Sequence, residues 1–282
     1  PASLQQVWEA CRTAGLDRHS LIVSLGGGVV GDVAGVAAAT YMRGIRIVHL
    51  PTTLLAQVDS AVGGKTAVNL GAKNLVGAFH QPAGVIANLS VLSTLPTREV
   101  RSGLGEIWKT GVLVGESLLS QLEASAKDLV ALNPDALESV VLACVQHKAG
   151  VVERDERESG ERALLNLGHT LGHALELHLG DLSHGEAITV GGVFACALAE
   201  RRQWLDEACA SRFETLARLL ELPVEPTRRL DVDAIMTLVS HDKKAKAGVQ
   251  RWVLPRGPGH CELTPVEPTD VRTELSQLGW AL

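Results

Sequence analysis

Hydrophobic and polar positions in the first third of the chain predict helices and strands in alternation. An amphipathic helical pattern covers residues 3–15, and an apolar run of strand length at 21–25 leads into three consecutive glycines. A second helical run covers 32–42, and a second strand covers 45–50. The order of strand, glycine turn, helix and strand is that of a βαβ unit, so we predict a parallel sheet with helices packed on it.

The pattern changes beyond the second strand. Residues 59–80 are rich in glycine and lysine, which predicts a functional loop region. Farther on, apolar positions recur almost entirely at helical spacing, apart from two short segments, 250–255 and 260–264, that predict a hairpin. We therefore expect two domains, an α/β domain over residues 1–92 and a mostly helical domain over residues 93–282.

Composition excludes several classes of protein. The chain has 282 residues, of which 46% are hydrophobic and 21% charged, and this is not the composition of a disordered chain. No apolar run reaches the roughly 18 residues that a membrane span needs. A net charge of −6 argues against nucleic acid as the main partner. Five cysteines without CxxC spacing argue against a disulfide framework or a cysteine zinc site, and they fit a reducing, cytoplasmic location.

The glycine turn after the first strand is a candidate nucleotide site. Gly26, Gly28 and Gly31 match the GxGxxG pattern between a predicted strand and a predicted helix. Such a turn lets backbone N–H groups at a helix N-terminus meet a pyrophosphate. The acidic residue that usually follows the second strand is absent, because Pro51, Thr52 and Thr53 stand there. The alternative is a tight glycine turn that binds nothing.

Lysines in the glycine-rich segment are candidates for binding phosphate. Lys65, Lys73 and Asn74 lie among glycines that would let the backbone approach an anion. The alternative is that both lysines are solvated surface side chains.

A histidine-rich segment is the strongest local signal for a site. Arg162, Asn166, His169 and His173 recur at a spacing of about four residues, so on one helix they would share a face. His169 and His173, four residues apart, can offer two imidazoles to one metal ion, and His184 is a third candidate. Their clustering favours a site over isolated structural histidines.

Acidic side chains are also candidates for the site. Glu106 lies three residues before Lys109, which taken alone predicts a surface ion pair. Residues 155–158, DERE, predict a solvated charge run unless one of them turns inward.

These segments together resemble the 3-dehydroquinate synthase family. Matching blocks run in order through most of the chain: GGGVVGDVAG (26–35), TYMRGI (40–45), PTTLLAQVDSAVGGKT (51–66), KNLVGAFHQP (73–82), TLPTRE (94–99), GLGEIWK (103–109), DERE (155–158), LLNLGHTLGHALE (164–176) and HGEA (184–187).

The resemblance implies an N-terminal Rossmann-like NAD-binding domain followed by a mostly α-helical, metal-binding domain. It implies a lyase of the shikimate pathway that converts 3-deoxy-D-arabino-heptulosonate 7-phosphate to 3-dehydroquinate and phosphate. NAD is used catalytically in that reaction, together with Zn²⁺ or Co²⁺. It also implies a cytoplasmic homodimer, because Arg43 matches an arginine that reaches the neighbouring subunit.

The resemblance assigns roles to individual residues. The implied metal ligands are Glu106, His169 and His184. The implied NAD contacts are Gly27, Gly28, Asp32, Thr52, Thr53, Lys73, Thr94, Leu95 and Glu99. The implied substrate contacts are Arg43, Asp59, Lys65, Asn74, Lys109, Lys148, Arg162, Asn166 and Lys243, with Lys244 as the alternative to the last. The implied catalytic residues are Glu158 and His173, for proton transfer, and Lys109 and Lys65.

Departures from the family pattern leave other functions open. The segment between Lys65 and Lys73 is one residue shorter than usual, which predicts a displacement of Lys73 and Asn74. The strands expected ahead of Pro1 are missing, so we expect weakened NAD binding. Arg162 and the residues around it favour a carboxylated substrate over a neutral hexose phosphate. An aminodehydroquinate synthase, another sugar-phosphate cyclase and an inactive metal-binding remnant are the alternatives.

Overall fold

The computed structural model of the chain describes residues 1–240 and 250–282. The helices are α1 (Ala2–Thr13), α2 (Gly28–Thr40), α3 (Thr97–Val114), α4 (Glu116–Val130), α5 (Pro134–Arg154), α6 (His169–Leu179), α7 (His184–Arg201), α8 (Glu207–Leu219), α9 (Val232–Ser240) and α10 (Pro268–Gln277). The strands are β1 (Leu21–Gly26), β2 (Arg46–Pro51), β3 (Lys65–Leu70), β4 (Ala72–Phe79), β5 (Gly84–Val85), β6 (Gln250–Gly257) and β7 (His260–Val266).

The βαβ unit forms as predicted. β1 and β2 pair in parallel along their whole length, and β5 extends the sheet in parallel on the other side of β2. α2 packs small side chains, Ala34 and Ala38, against Ile45 and Ile47. Small residues let the helix lie close to the sheet, and this brings the N-terminus of α2 to the carboxyl end of β1.

α2 begins earlier than its apolar pattern predicts. Its first residue is Gly28, because Gly27 adopts an extended conformation and caps the helix directly after β1. α2 ends at Thr40, and a short 3₁₀ turn follows in which Met42 and Arg43 have positive φ angles. The glycine turn and the helix N-terminus are therefore one continuous feature.

The prediction of a loop over residues 59–80 was wrong for most of that range. β3 and β4 form an antiparallel hairpin there. Alternate residues of β3 are buried against α2. Val68 packs with Val36 and Ala37 of the helix. Thr66 lies so close to Gly35 of the helix that a Cβ at Gly35 would be 2.7 Å from it. Tertiary packing thus makes strands of a segment whose glycines and lysines suggested a loop.

The remainder is helical apart from the β6–β7 hairpin, as predicted. Its core surrounds Trp108, whose indole Nε1 donates a 2.8 Å hydrogen bond to the carbonyl of Phe213. The domain boundary at residue 92 stays a prediction. Within the described ranges, no helix is both long and apolar enough to cross a bilayer.

Glycines set how closely α3, α6 and α7 approach one another. A Cβ at Gly105 of α3 would lie 2.2 Å from the carbonyl oxygen of Gly185 of α7. Gly168, which caps α6 with φ +78°, would place a Cβ 2.3 Å from the carbonyl oxygen of Ile188. Backbone touches backbone at both crossings, so neither position accommodates a side chain.

Gly105→Ala should therefore destabilise the protein by about 2–3 kcal/mol, because overpacking costs exceed the roughly 1 kcal/mol gained from helix propensity. Gly150→Ala is the matched control in α5, since a Cβ there meets only the flexible end of Arg154 at 3.3 Å. Urea unfolding of both variants measures the difference. Equal stability of the two variants would contradict the close crossing of α3 and α7.

Candidate active site

A cavity of about 620 Å³ opens where α2, the β3–β4 hairpin and helices α3, α5, α6 and α7 meet. Side chains from both the sheet-bearing part and the helical part line it. The predicted site residues among them are Gly28, Asp32, Asp59, Lys65, Asn74, Lys109, Lys148, Arg162, Asn166, His169, His173 and His184.

A carboxylate and two imidazoles converge at this cavity. His184 Nε2 lies 3.2 Å and His169 Nε2 lies 3.6 Å from Oε1 of Glu106. One potential ligand atom from each residue lies within 4.8 Å of the others. Glu106 is only 1% exposed. Lys109 and His184 lie at ion-pair distance from its carboxylate. Within the described residues, however, neither carboxylate oxygen has a well-directed hydrogen bond. Such donors suit a divalent metal ion.

The buried, ionised carboxylate of Glu106 makes this cluster favourable for positive charge. Burial disfavours ionised Glu106, but the Lys109 ammonium and His184 outweigh burial and hold the pKa of Glu106 well below its usual range. Burial also disfavours a charged imidazole, but the nearby carboxylates of Glu106 and Glu176 outweigh burial and raise the pKa of His184 to about 9. A metal ion would therefore replace a proton on His184.

His169 and His173 are one turn apart at the start of α6. The His169 Nδ1 edge faces the carbonyl oxygen of Leu167 at 3.1 Å, which leaves Nε2 toward Glu106. The His173 ring centroid lies 5.2 Å from that of His169 and 5.9 Å from that of His184. His173, Glu176 and His184 form a second group with ligand atoms close enough to share an ion.

The single helical face predicted for Arg162, Asn166, His169 and His173 was wrong. The first two lie in a 3₁₀ helix, Glu161–Asn166, and α6 begins only at His169. Gly168 interrupts the helical path with a left-handed φ of +78°, and α7 passes so close that no Cβ fits there. All four residues nevertheless line the cavity.

The predicted surface ion pair of Glu106 and Lys109 is buried. Lys109 is 3% exposed, and its Nζ also lies 3.9 Å from Oδ1 of Asp59. Asp59 lies in a π-helical turn, Ala56–Ser60. Nζ of Lys148 donates one hydrogen bond to Oδ1 of Asp59 at 2.8 Å and another to the backbone carbonyl of Asp59 at 2.7 Å. Burial lowers the pKa of Lys148 although Asp59 opposes it.

The DERE segment is a structured loop rather than a solvated charge run. Asp155 accepts backbone hydrogen bonds from Ser159, Gly160 and Arg162, which lower its pKa to about 2. Glu158, with φ +58°, turns inward. Its carboxylate contacts Lys65 of the hairpin and the amide of Asn166.

Arg162 is almost fully buried between two loops. Its guanidinium donates to the carbonyl of Gly63 at 2.8 Å and to the carbonyl of Glu156, and it lies 5.7 Å from the ring centroid of Phe79. It also lines the cavity. A buried cation whose hydrogen bonds go to neutral carbonyl oxygens suits an anionic ligand.

The glycine turn and the end of β2 form a second, small concavity. Thr52 N–H donates to the carbonyl of Gly26 at 2.9 Å, and a Cβ at Gly27 would lie 2.9 Å from Thr53 Cγ2. Gly28 faces the main cavity at the N-terminus of α2. Predicted nucleotide contacts thus cluster around a helix N-terminus, where backbone N–H groups favour an anion.

Other predicted site residues lie apart from the cavity. Thr94, Leu95 and Glu99 belong to a 3₁₀ turn and the start of α3, and among the described residues they do not line it. Arg43 is exposed and likewise absent from the lining. The side chain of Lys73 is outside what the structure describes, and Lys243 and Lys244 lie outside the described residues. Asn74 lines the cavity despite the shortened segment, and its N–H donates to Oδ1 of Asn69.

Sequence reasoning missed Ser60 and Glu176. Ser60 lines both concavities, its buried Oγ has no hydrogen-bond partner among the described residues, and a Cβ at Gly28 would lie 3.0 Å from it. Glu176 follows His173 by one turn, a spacing that places both on one face of α6. That spacing was the available signal for Glu176.

Comparison with known proteins identifies the family. Residues 1–102 match the model described as 3-dehydroquinate synthase N-terminal, and residues 103–245 match 3-dehydroquinate synthase C-terminal. The 3-dehydroquinate synthase of Pelobacter propionicus is 47% identical over 263 residues, which cover 92% of this chain and 73% of that protein.

Two solved structures share the fold. The 2-epi-5-epi-valiolone synthase from Streptomyces hygroscopicus subsp. jinggangensis 5008, with NAD⁺ and Zn²⁺ bound, has a TM-score of 0.91 and 30% identity and covers 99% of this chain and 79% of its own. A 2-deoxy-scyllo-inosose synthase complexed with carbaglucose-6-phosphate, NAD⁺ and Co²⁺ has a TM-score of 0.88 and 32% identity. The match covers 98% of this chain and 79% of that synthase. The predicted fold class is confirmed, and the chain belongs to the 3-dehydroquinate synthase family.

Proposed function

We propose that this chain converts 3-deoxy-D-arabino-heptulosonate 7-phosphate to 3-dehydroquinate and phosphate. One observation carries the proposal. The two imidazoles that cluster with Glu106 line a cavity together with four cationic side chains, Lys65, Lys109, Lys148 and Arg162, and the N-terminus of α2. Family membership supports the same activity.

Glu106, His169 and His184 would hold the metal ion, Zn²⁺ or Co²⁺. One carboxylate and two imidazoles are a set that leaves positions open for substrate oxygens. When bound, the ion supplies Lewis-acid chemistry and NAD supplies reversible hydride transfer. NAD would lie along the glycine turn, held by Gly27, Gly28, Asp32, Thr52, Thr53, Lys73, Thr94, Leu95 and Glu99.

The cationic side chains would bind the two anionic ends of the substrate. Arg162, Lys148 and Asn166 are proposed for the carboxylate, while Lys65 and Asn74 are proposed for the phosphate. Asp59 holds Lys148 by two hydrogen bonds and so orients its ammonium. Lys243 and Arg43 complete the proposed substrate contacts.

Proton transfer is proposed for Glu158 and His173. His173 lines the cavity beside the two proposed histidine ligands, where its imidazole would meet a bound substrate. Glu158 contacts Lys65 and Asn166, two proposed substrate-binding residues, so a bound substrate would meet its carboxylate.

We further propose that the enzyme acts as a cytoplasmic homodimer. Arg43 is exposed on the turn after α2 and is not among the residues that line the cavity of its own chain, within the described ranges. That position suits contact with substrate held by a neighbouring copy.

Metal analysis tests the ligand set. The chelator-treated and re-metallated protein should hold about one divalent ion per chain, and Glu106→Gln or His184→Ala should abolish tight binding, because a ligand is lost. His178→Ala removes an imidazole of α6 outside the cluster and should leave the stoichiometry unchanged. Unchanged metal content in His184→Ala would remove that residue from the proposed site.

Phosphate release tests the activity and the role of Arg162. Arg162→Ala should lower kcat/KM for the heptulosonate phosphate by about 10²–10⁴-fold, or roughly 3–5 kcal/mol, because a buried anion loses its charged partner. Arg162→Lys keeps a charge and should lose less. Arg154→Ala, which removes an exposed arginine paired with Glu161, is the control and should be active. Thermal unfolding of each variant separates lost recognition from lost loop structure.

Substrate discrimination is the second arm of the same assay. Glucose 6-phosphate lacks a carboxylate and would leave the buried guanidinium of Arg162 without an anionic ligand, a mismatch that can discriminate by about 10⁴-fold. Its turnover should be negligible. Turnover of glucose 6-phosphate above that of the heptulosonate phosphate, or a kinetically silent Arg162→Ala, would overturn the proposal. The aminated heptulosonate analogue tests the aminodehydroquinate alternative.

A further inference from the structure

Glu176 lies beside the proposed metal cluster without belonging to it. It is on α6, two turns after His169, and its side chain lines the main cavity. Its Oε2 lies 3.3 Å from Nδ1 of His184. No role was assigned to it by the sequence motifs.

The two ring nitrogens of His184 face two different carboxylates. Nε2 faces Glu106 Oε1 at 3.2 Å, while Nδ1 faces Glu176. An imidazole that ligates a metal through one nitrogen carries its proton on the other, and the acceptor of that proton sets both the tautomer and the orientation of the ring. Glu176 is positioned to be that acceptor.

His169 provides an internal comparison. Its Nδ1 faces the carbonyl oxygen of Leu167 at 3.1 Å, and its Nε2 points toward Glu106. Both proposed histidine ligands therefore present the same nitrogen to the same carboxylate. The backbone supplies the acceptor for His169, whereas a side chain supplies it for His184.

We infer that Glu176 is a positioning residue that accepts the Nδ1–H of His184 and thereby holds Nε2 toward the metal ion. The inference rests on the proposed metal site. The inference excludes Glu176 itself as a metal ligand. If Glu176 ligated the ion, Nδ1 of His184 would ligate it too, and the buried carboxylate of Glu106 would have no metal ion beside it.

Zn²⁺ affinity of the chain, measured by competition with a chromophoric chelator, tests the inference. Glu176→Ala should weaken binding about 10–100-fold while one ion still binds at saturation. Glu176→Gln should lose less, because its amide oxygen still accepts a hydrogen bond. Glu161→Gln, an exposed carboxylate that pairs with Arg154, is the matched control and should bind like wild type.

Spectroscopy provides a readout that a purely structural role would not change. In the Zn²⁺-loaded wild type, ¹⁵N NMR should show His184 protonated at Nδ1, and Glu176→Ala should alter that signal. The visible absorption of the Co²⁺-loaded protein should shift in Glu176→Ala. Thermal unfolding of the metal-free proteins controls for general destabilisation.

The outcomes are distinguishable. Equal Zn²⁺ affinity and an unchanged His184 signal in Glu176→Ala would overturn the inference while leaving the metal site intact. Loss of the bound ion as complete as in His184→Ala would also overturn it, because Glu176 would then be a ligand. Failure of the wild type to bind Zn²⁺ would instead refute the proposed metal site.

Discussion

The site depends on one buried carboxylate. Glu106 is almost inaccessible to solvent, and an ionised carboxylate in such a place is costly unless positive charge surrounds it. Lys109 supplies that charge from the same helix, and His184 supplies it from α7. The arrangement stabilises a cation between α3, α6 and α7. The rest of the cavity is organised around that position.

Glycine contacts bring the cluster together. Each proposed ligand is the immediate chain neighbour of a glycine at a close helix crossing: Glu106 follows Gly105, His184 precedes Gly185 and His169 follows Gly168. Backbones touch at these crossings, and at the crossing of Gly105 and Gly185 the two neighbouring ligands, Glu106 and His184, come from facing helices. The same glycines that allow close packing lie beside the cluster, so the packing of the helices and the proposed metal site depend on the same positions.

Sequence patterns predicted what is local and missed what depends on distant packing. The βαβ unit and the β6–β7 hairpin follow from apolar runs and glycine punctuation, so both were predictable. The hairpin of β3 and β4 was not, because Thr66 and Val68 become strand residues only when α2 covers them. The break at Gly168 was likewise hidden, since its cause is the passage of α7. Resemblance named the proposed ligands, but their burial, and the Lys109 and His184 charges that lower the pKa of Glu106 against that burial, required the fold.

The residues proposed for substrate recognition and for proton transfer are joined through one loop. Asp155 holds the backbone of the DERE segment and also accepts a hydrogen bond from the backbone N–H of Arg162. The guanidinium of Arg162 in turn donates hydrogen bonds to the carbonyls of Glu156 and Gly63. Glu158 lies in the same loop and contacts Lys65 across the cavity. Arg162 is therefore tied by hydrogen bonds to the segment that carries Glu158. In the proposed reaction, occupancy of the carboxylate subsite and placement of the proton-transfer group would be linked through these hydrogen bonds.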